Sequence, residues 1–398
     1  MTQPIRQPRI ITLVLMAGLS ALSMNIFLPS LAGMAAEFGV DYRVMQLSVS
    51  AYLGVGAVLQ LLIGPISDRF GRRPVTMAAI ALFLLATLGT LVAPNATVFL
   101  ICRMAQAIVV TAIVLSRAVV RDLVEGPRAA SMIGYVTMGM SVVPMIGPLI
   151  GGALDQAFGW RASFAFLGLC GLAVLALVWA DLSETARPAP GGFAAQRRAW
   201  PRLLASHRFW GYCAAATTSS GAFFAYLGGA AFIGSEVYHL TPAQLGGWFA
   251  APALGYAAGN FLAGRLSVRL GIDRMIRLGA GVGVLALGVA LALMLAGLHH
   301  PVIFFGAVGA LGISNGLVLP NANAGMMSVR PELAASASGL GGALNIGGGA
   351  ALSALAGAAL TPATGAEVLL GVMLASCSAT LLALAWVAAR NRRAQDDD

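Results

Sequence analysis

Charge is scarce in this chain, and lysine is missing altogether. Only 10% of the 398 residues are charged, 59% are hydrophobic, and all 24 basic residues are arginine. Soluble globular domains carry about 25% charged residues, so the composition excludes that class and predicts an integral membrane protein. The formal charge of +9 does not indicate nucleic-acid binding, because the arginines lie in short turns between apolar stretches, where they determine topology and attract anionic lipids.

Cysteine and histidine are scarce as well, and neither occurs with a metal-ligand spacing. All cysteines lie in apolar stretches, which predicts buried, unreactive thiols: Cys102, Cys170, Cys213 and Cys377. All histidines lie at the boundaries of such stretches: His207, His239, His299 and His300. We therefore expect neither a metal site nor a cofactor.

Carboxylates are missing from the middle of every apolar stretch. The 15 acidic residues lie in the turns, at the ends of the stretches or at the termini. A proton-coupled carrier usually titrates an intramembrane acid, so this absence counts against a simple proton-coupling site. Paired acids, metal ligands or a nucleophile within a span would indicate a membrane-embedded enzyme. None occurs, so we expect no enzymatic activity.

The chain does contain twelve apolar stretches of about 20 residues, each long enough for a transmembrane helix. They lie near 10–32, 44–67, 74–93, 97–121, 129–153, 161–182, 208–233, 242–268, 275–297, 301–326, 334–358 and 364–389. Because lipid offers the backbone no hydrogen-bond partner, the predicted fold class is all-α. Most arginines lie before the first stretch, after every second one and after the last, which puts both termini in the cytoplasm. The expected location is the bacterial inner membrane.

One long polar connection divides the chain into two halves. Residues 183–207 combine proline and glycine with several arginines, which is typical of a linker. We assign residues 1–183 to an N-terminal six-helix bundle and 184–207 to a cytoplasmic linker. Residues 208–398 form a C-terminal six-helix bundle with a short cytoplasmic tail.

An internal repeat relates the two halves. Gly64 and Gly71 flank the turn after the second stretch, and Gly264 and Gly271 flank the turn after the eighth, 200 residues later. The acid of the first turn is replaced by Val268 in the second. Two pseudo-symmetric six-helix halves are typical of transporters and count against a channel. No connection is long enough for the soluble domain of a receptor or scaffold.

The turn after the second stretch resembles the loop signature of the major facilitator superfamily. The resemblance lies in a glycine, an acid followed by arginine, a second glycine and two basic residues: Gly64, Asp68, Arg69, Gly71, Arg72 and Arg73. An ordinary positive-inside turn would need the arginines but not this spacing of glycine and acid. The resemblance implies twelve helices in the major facilitator fold.

Further stretches resemble the bicyclomycin/chloramphenicol-type drug:proton antiporters of that superfamily. They are the run from Ser23 to Leu31, Ser50-Ala51-Tyr52 with Gln60, Arg103-Met104-Ala105-Gln106, Arg117 to Asp122, and Tyr238 to Phe249. A run in the fifth stretch resembles the antiport motif of the group, with Pro144, Gly147, Pro148, Gly151 and Gly152. Proline and glycine there also fit a simpler role, in which they let the span bend and pack.

Two positions depart from the pattern of that group. Ala107 stands where a glycine is usual, and Asn25 stands where the group often has aspartate. An amide does not titrate, so the proton-coupling residue of the group does not carry over, and proton antiport is put in doubt. Asn25 can still accept a hydrogen bond from Arg103 through its amide oxygen. Asp68 and Glu236 are the alternative proton sites.

The fourth stretch carries arginines along one face. Arg117 falls within about 40° of the face that carries Arg103, and an arginine as deep as Arg103 should face water or protein rather than lipid. We expect Asp68 to reach Arg117 or Arg121, joining the cytoplasmic ends of the spans in one state and releasing them in another. Asp122 completes this predicted gating set. Anchoring at the membrane surface is the simpler role for Arg117 and Arg121.

A substrate cavity is expected between spans 1, 4, 7 and 10 and their neighbours. Its predicted lining is Asn25, Tyr52, Arg103, Tyr135, Met138, Phe223, Phe224, Tyr226, Tyr256, Asn315 and Asn345. Aromatic walls with a few polar groups suit a drug-sized ligand, although each aromatic residue alone fits helix packing at least as well. The resemblance implies a monomeric exporter of phenicol-like or other small amphipathic drugs, which exchanges them for protons by alternating access. A metabolite or sugar exporter on the same fold is the alternative.

Overall fold

The computed structural model describes residues 8–124, 132, 136, 143, 146–186, 200–330, 333–361 and 365–396. Within these ranges the backbone is helical with short connections, and no strand occurs. The chain divides into two compact units. Unit 1 comprises Met1–Ala194 and Thr241–Gly247, and unit 2 comprises Ala195–Leu240 and Trp248–Asp398.

Unit 1 is built from helices whose apolar faces pack on one another. They are α1 (Ile10–Asn25), α2 (Leu31–Phe38), α3 (Tyr42–Phe70), α4 (Arg72–Leu91), α5 (Ala96–Gln106), α6 (Val110–Leu123) and α7 (Arg161–Asp181). A further helical segment covers residues 146–158. Helix α4 packs on α5 and α7, and α1 packs on α6 and α7.

Unit 2 contains six long helices. They are α8 (His207–Phe232), α10 (Ala250–Leu270), α11 (Ile272–Leu295), α12 (Pro301–Ser328), α13 (Ala334–Ala359) and α14 (Gly365–Asp396). The short helix α9 (Pro242–Trp248) lies between α8 and α10 in the sequence, but its residues up to Gly247 belong to unit 1. Helix α8 packs on α12, α13 and α14. Gly312 and Gly316 of α12 lie directly against the backbone of α10, where a Cβ atom would collide with the carbonyl oxygens of Pro252 and Tyr256, as small residues allow in membrane helices.

Nine described segments are long and apolar enough to cross a membrane, when α1 to α2 and α5 to α6 are each counted as one segment. Helices α8 and α10 occupy two further predicted stretches and are 26 and 21 residues long. Helix α8 contains the hydroxyl run Thr217–Ser220 and α10 contains two arginines, which lowers their hydropathy. The remaining predicted stretch, 129–153, lies mostly outside the described residues. The predicted all-α integral membrane fold is confirmed.

Three predicted stretches are interrupted in the structure. The first stretch ends as an α-helix at Asn25 and continues through the 3-10 turn Leu28–Ser30 into α2. The fourth is divided by the 3-10 turn Ala107–Val109. The eighth begins with α9 and becomes a long helix only at Ala250. Hydropathy did not reveal these breaks, because the residues within them are as apolar as the helices around them.

The two halves share one backbone conformation in their repeated turns. Gly71, between α3 and α4, has φ 95° and ψ 149°, and Gly271, between α10 and α11, has φ 80° and ψ 161°. This region of the map is essentially restricted to glycine. The internal repeat found in the sequence is therefore also a repeat of conformation.

Candidate functional site

The site in unit 1 is organised by the break in the first span. Pro29 has no N–H to donate to the carbonyl of Asn25, so the α-helix stops there. The chain then closes the 3-10 turn Leu28–Ser30, with a hydrogen bond from the Ser30 N–H to the Phe27 carbonyl. Because the helix stops within the apolar span, backbone groups and the Phe27 ring are available to a side chain from another helix.

That side chain is Arg103 of α5, which is completely buried. Its Nη2 donates to the Ser23 carbonyl at 2.8 Å and its Nη1 to the Ser23 hydroxyl at 3.2 Å. Nε donates to the Ser48 carbonyl at 3.3 Å, and Nη1 also donates to Gln106 Oε1 at 2.9 Å. One arginine thus joins α1, α3 and α5.

Two aromatic rings cover the guanidinium group of Arg103. Its central carbon lies 4.4 Å from the ring centroid of Phe27 and 4.0 Å from that of Tyr52. The Tyr52 hydroxyl donates to Ser23 at 3.3 Å. Ring faces attract cations, and the attraction grows when water is excluded. Arg103 is therefore stabilised by carbonyl, amide and aromatic groups, and no carboxylate is among its contacts in the described residues.

Asn25 does not make the predicted hydrogen bond to Arg103 within the described part of the chain. Its Nδ2 donates instead to the Ala21 carbonyl of its own helix at 2.7 Å. Arg103 instead donates four hydrogen bonds, to Ser23, Ser48 and Gln106. The hydrogen bond that the Asn25 amide oxygen could accept from Arg103 is therefore not formed in this structure.

The buried polar network extends from Arg103 to α4. Gln106 Nε2 donates to the Thr87 hydroxyl at 2.8 Å, and that hydroxyl donates to the Phe83 carbonyl at 2.8 Å. The side chains of Arg103, Gln106 and Thr87 all have partners in the network, as a stable buried network requires, whereas the Ser48 hydroxyl has none among the described residues. Four helices of unit 1 are joined in this way.

The glycines of the antiport-like run lie against the break in the first span. A Cβ atom on Gly151 would collide with the carbonyl oxygen of Ile26, and one on Gly152 would collide with that of Pro242 at the start of α9. Gly147 faces Leu22 and Asn25 at ordinary contact distance. The run therefore packs backbone against backbone. Pro144, Tyr135 and Met138 lie outside the described residues.

The second group of predicted residues surrounds Arg72 at the start of α4. Its Nη1 lies 2.6 Å from a carboxylate oxygen of Asp68, and its Nε donates to Asp122 Oδ2 at 2.9 Å. Arg72 is only 9% exposed. Asp68 thus pairs with an arginine of its own turn, whereas the pairing with Arg117 or Arg121 stays a prediction.

Glu184, after α7, fixes this turn from the other side. Its carboxylate accepts the backbone N–H groups of Arg72 at 2.8 Å and Arg73 at 3.2 Å, and those of Thr185 and Ala186 as well. The first N–H groups of a helix have no partner within it, and a negative charge is favourable there. Glu184 therefore caps α4 and ties it to the end of α7.

The remaining residues of the predicted gating set lie around this turn. The Arg73 guanidinium donates to the Trp179 carbonyl at 2.8 Å. Arg69 lies over the ring of Phe70, and Gly64 is inside α3, where a Cβ atom would meet nothing within 4 Å. The glycine at position 64 is thus not required by packing in this structure.

In unit 2, the predicted asparagines bond to a hydroxyl run on α8. Ser219 donates to Asn315 Oδ1 of α12 at 2.6 Å, and Ser220 contacts Asn345 Oδ1 of α13. Thr218 shares a 2.8 Å hydrogen bond with Thr380 of α14. One turn of α8 is therefore bonded to three neighbouring helices.

The predicted aromatic residues of α8 form a connected cluster. Phe223 lies 6.2 Å from Phe224 and 6.1 Å from Tyr226, measured between ring centroids. Tyr226 is fully buried, and its hydroxyl has no hydrogen-bond partner among the described residues. Tyr256 of α10 is half-buried.

Sequence reasoning missed several residues of these sites. Ser23 and Gln106 lie in stretches that carry the family resemblance. Their place in those stretches was the only sequence signal for a role in the site. Glu184 is separated from Arg72 by more than 100 residues of sequence. Several other spans also end near an acid, so nothing in the sequence singled out Glu184 as a helix cap.

Comparisons with known proteins support the fold and the family. The model of the Major Facilitator Superfamily matches residues 13–354. A chloramphenicol resistance protein of Pseudomonas aeruginosa is 35% identical over 213 residues, which are 52% of this chain and 50% of the relative. A bicyclomycin resistance protein homolog of Haemophilus influenzae is 25% identical over 339 residues, which are 84% of this chain and 85% of the relative.

Solved structures match the fold over nearly the whole length. A mutant of the peptide transporter POT, in complex with sulfate, has a TM-score of 0.78 at 15% identity. The match covers 96% of this chain and 95% of that one. At this level of identity the likeness concerns the fold alone, whereas the family model covers most of the sequence. The chain belongs to the Major Facilitator Superfamily.

Proposed function

We propose that the chain is an exporter of small amphipathic drugs, with phenicol-like antibiotics as the first substrates to test. The observation that carries the proposal is the buried Arg103, whose described contacts are carbonyl, amide and aromatic groups without a carboxylate. An arginine without a paired acid makes its surroundings positive, which favours neutral or anionic substrates over cations. The similarity to a chloramphenicol resistance protein over half of the chain supports the same class.

The proposed substrate-handling residues differ in how they would act. Arg103 is buried in unit 1 beneath Tyr52 and Phe27, so its proposed influence on a substrate is through its charge rather than by contact. Asn345 and Tyr256 of unit 2 are partly exposed, and we propose that they contact the substrate directly. The other proposed residues are Asn25, Tyr135, Met138, Phe223, Phe224, Tyr226 and Asn315.

Proton antiport by alternating access is the proposed mode of coupling. The antiport-like run contributes Gly151 and Gly152, which pack on the backbone of Ile26 and Pro242. We further propose a monomer in the bacterial inner membrane with both termini in the cytoplasm. This orientation is supported by the arginines, which cluster in alternate connections. The proposed six-helix bundles are 1–183 and 208–398, joined by a cytoplasmic linker at 184–207.

A resistance screen tests the proposal directly. The chain is expressed in a bacterial strain that lacks its main efflux pumps, and inhibitory concentrations are measured for phenicols, other neutral antibiotics and lipophilic cations. We expect the wild type to raise the inhibitory concentration of at least one neutral compound. Unchanged sensitivity to every compound, at verified expression in the membrane, would overturn drug export. Release of a sugar or other metabolite into the medium would then favour the alternative exporter.

A further inference from the structure

In the described part of unit 2, one end of the helices carries histidines and no arginine. We call it the histidine end and define it by Glu236, His239, His299, His300 and Glu367. The end of α8, the start of α12 and the start of α14 meet there. The described arginines of unit 2 lie at the other ends of its helices or in the segment before α8, and the chain contains no lysine. Histidine is the side chain that changes its charge between about pH 5 and pH 8.

Two of these residues are in contact through their side chains. His299 Nδ1 lies 3.3 Å from Glu367 Oε1, and the side chains are 50% and 19% exposed. His299 belongs to the connection between α11 and α12, and Glu367 belongs to the first turn of α14. The pair therefore joins two segments of unit 2 that are distant in the sequence, and the charge on His299 decides whether the contact is an ion pair.

Tyr238 connects Glu367 to the end of α8. Its N–H donates to the Ile233 carbonyl at 3.0 Å, which closes the π-helical turn Ile233–Val237 after α8. Its hydroxyl is buried and has no hydrogen-bond partner among the described residues. Burial and the nearby charge of Glu367 raise the pKa of Tyr238 to about 12. The Glu367 carboxylate thus acts electrostatically on the residue that ends α8.

We propose that His299 and Glu367 form a proton-binding site, which holds the start of α14 to the α11–α12 connection when His299 is protonated and releases it as the pH rises. The ligand is the proton itself. The proposal concerns a response of unit 2 to pH and does not depend on which compound the protein exports.

Among the described basic side chains of the histidine end, only His299 forms an ion pair with Glu367. His300 Nδ1 accepts the N–H of Val302 at 3.2 Å, so the cap of α12 uses the unprotonated nitrogen. Glu236 and His239 are exposed, and charges there are screened by water and salt. No described arginine at this end can replace a neutral His299 as the partner of Glu367.

The sign of the effect follows from the charges. When His299 is protonated, its positive charge lies beside the Glu367 carboxylate and the pair contributes stability. When His299 is neutral, that contribution is absent. Removal of the Glu367 charge should therefore matter at low pH and not at high pH.

The test measures melting temperatures of the full-length protein in detergent at about pH 5.5 and pH 8. We expect Glu367→Gln to lower the melting temperature by about 1–2 °C at the lower pH and to leave it unchanged at the higher one. In a His299→Arg background, where the positive charge is permanent, Glu367→Gln should lower it equally at both pH values. His207→Gln, at the opposite end of α8, is the matched control and should leave the pH dependence of the Glu367→Gln effect intact.

Hydrogen exchange gives a local measurement of the same pair. After correction for intrinsic rates, the first turns of α14 should be better protected at pH 5.5 than at pH 8 in the wild type, and equally protected at both in His299→Arg. If Glu367→Gln fails to fold, His299→Gln compared with the wild type tests the same difference. An effect of Glu367→Gln that is the same at both pH values in the wild-type background would overturn the proposal. The same holds if the pH dependence of hydrogen-exchange protection in α14 is unchanged in His299→Arg.

Discussion

Gly71 and Glu184 occupy the same corner of unit 1. A Cβ atom on the glycine would collide with the carboxylate that caps α4. The glycine is therefore required twice, by its backbone conformation and by the acid beside it.

This relationship separates two otherwise similar glycines. Gly271 has nearly the same backbone angles as Gly71, but a Cβ atom on Gly271 would meet nothing within 4 Å. We expect Gly271→Ala to cost about 1–3 kcal/mol through backbone strain alone. Gly71→Ala should cost about 1 kcal/mol more, because Glu184 must move and lose its cap. Thermal unfolding of both variants measures the difference, and equal losses would contradict the role of Glu184.

Asp68→Asn should impair transport without preventing insertion. Arg72 bridges Asp68 and Asp122, so the substitution removes one of its two negative partners while the other keeps the turn folded. Efflux and the amount of protein in the membrane are measured together. Asp41→Asn, an N-cap at the start of α3, is a control outside this cluster. Normal efflux by Asp68→Asn at normal expression would refute a gating role for the acid.

Selectivity should depend on the missing acid at position 25. Asn25→Asp places a carboxylate next to the turn of Ser23 and Phe27 that holds Arg103. It should reduce the positive potential, shift transport from neutral drugs toward lipophilic cations and make export more dependent on pH.

The measurement compares efflux of a neutral phenicol and of a cationic dye in the wild type, Asn25→Asp and Arg103→Ala. Because Arg103 joins three helices, the last variant needs a check of its melting temperature. A wild type that exports both compounds equally, with a ratio that neither substitution changes, would rule out the electrostatic explanation.

Topology can be tested within unit 2. Val268 is 93% exposed in the last turn of α10, and Leu298 is 55% exposed in the α11–α12 connection. With the native cysteines replaced, Val268→Cys should react only with reagents that enter the cell, and Leu298→Cys should react with impermeant reagents from outside. The reverse pattern would place the termini outside the cell.

The sequence was sufficient to locate most of the spans and their connections, because hydropathy and arginine position are local properties, but it did not reveal the breaks within three of the spans. The Gly71 turn and its repeat at Gly271 were found from spacing alone. The partners of each polar residue were not predictable. Nothing in the sequence indicates that the ring of Phe27 or the carbonyl of Ser48 contacts Arg103. Contacts of this kind depend on which faces of the helices meet, and an apolar span has no strong preference among its faces.

The hydroxyl run of α8 has a mechanical consequence. Consecutive residues of a helix point about 100° apart, and Thr217–Ser220 contact α12, α13 and α14 from successive directions. A rotation of α8 about its own axis would break these bonds together, with no alternative partner in the lipid. The hydrogen bonds therefore fix the rotation of α8 relative to α12, α13 and α14. Movements that α8 takes part in are therefore expected to be shared by at least three other helices.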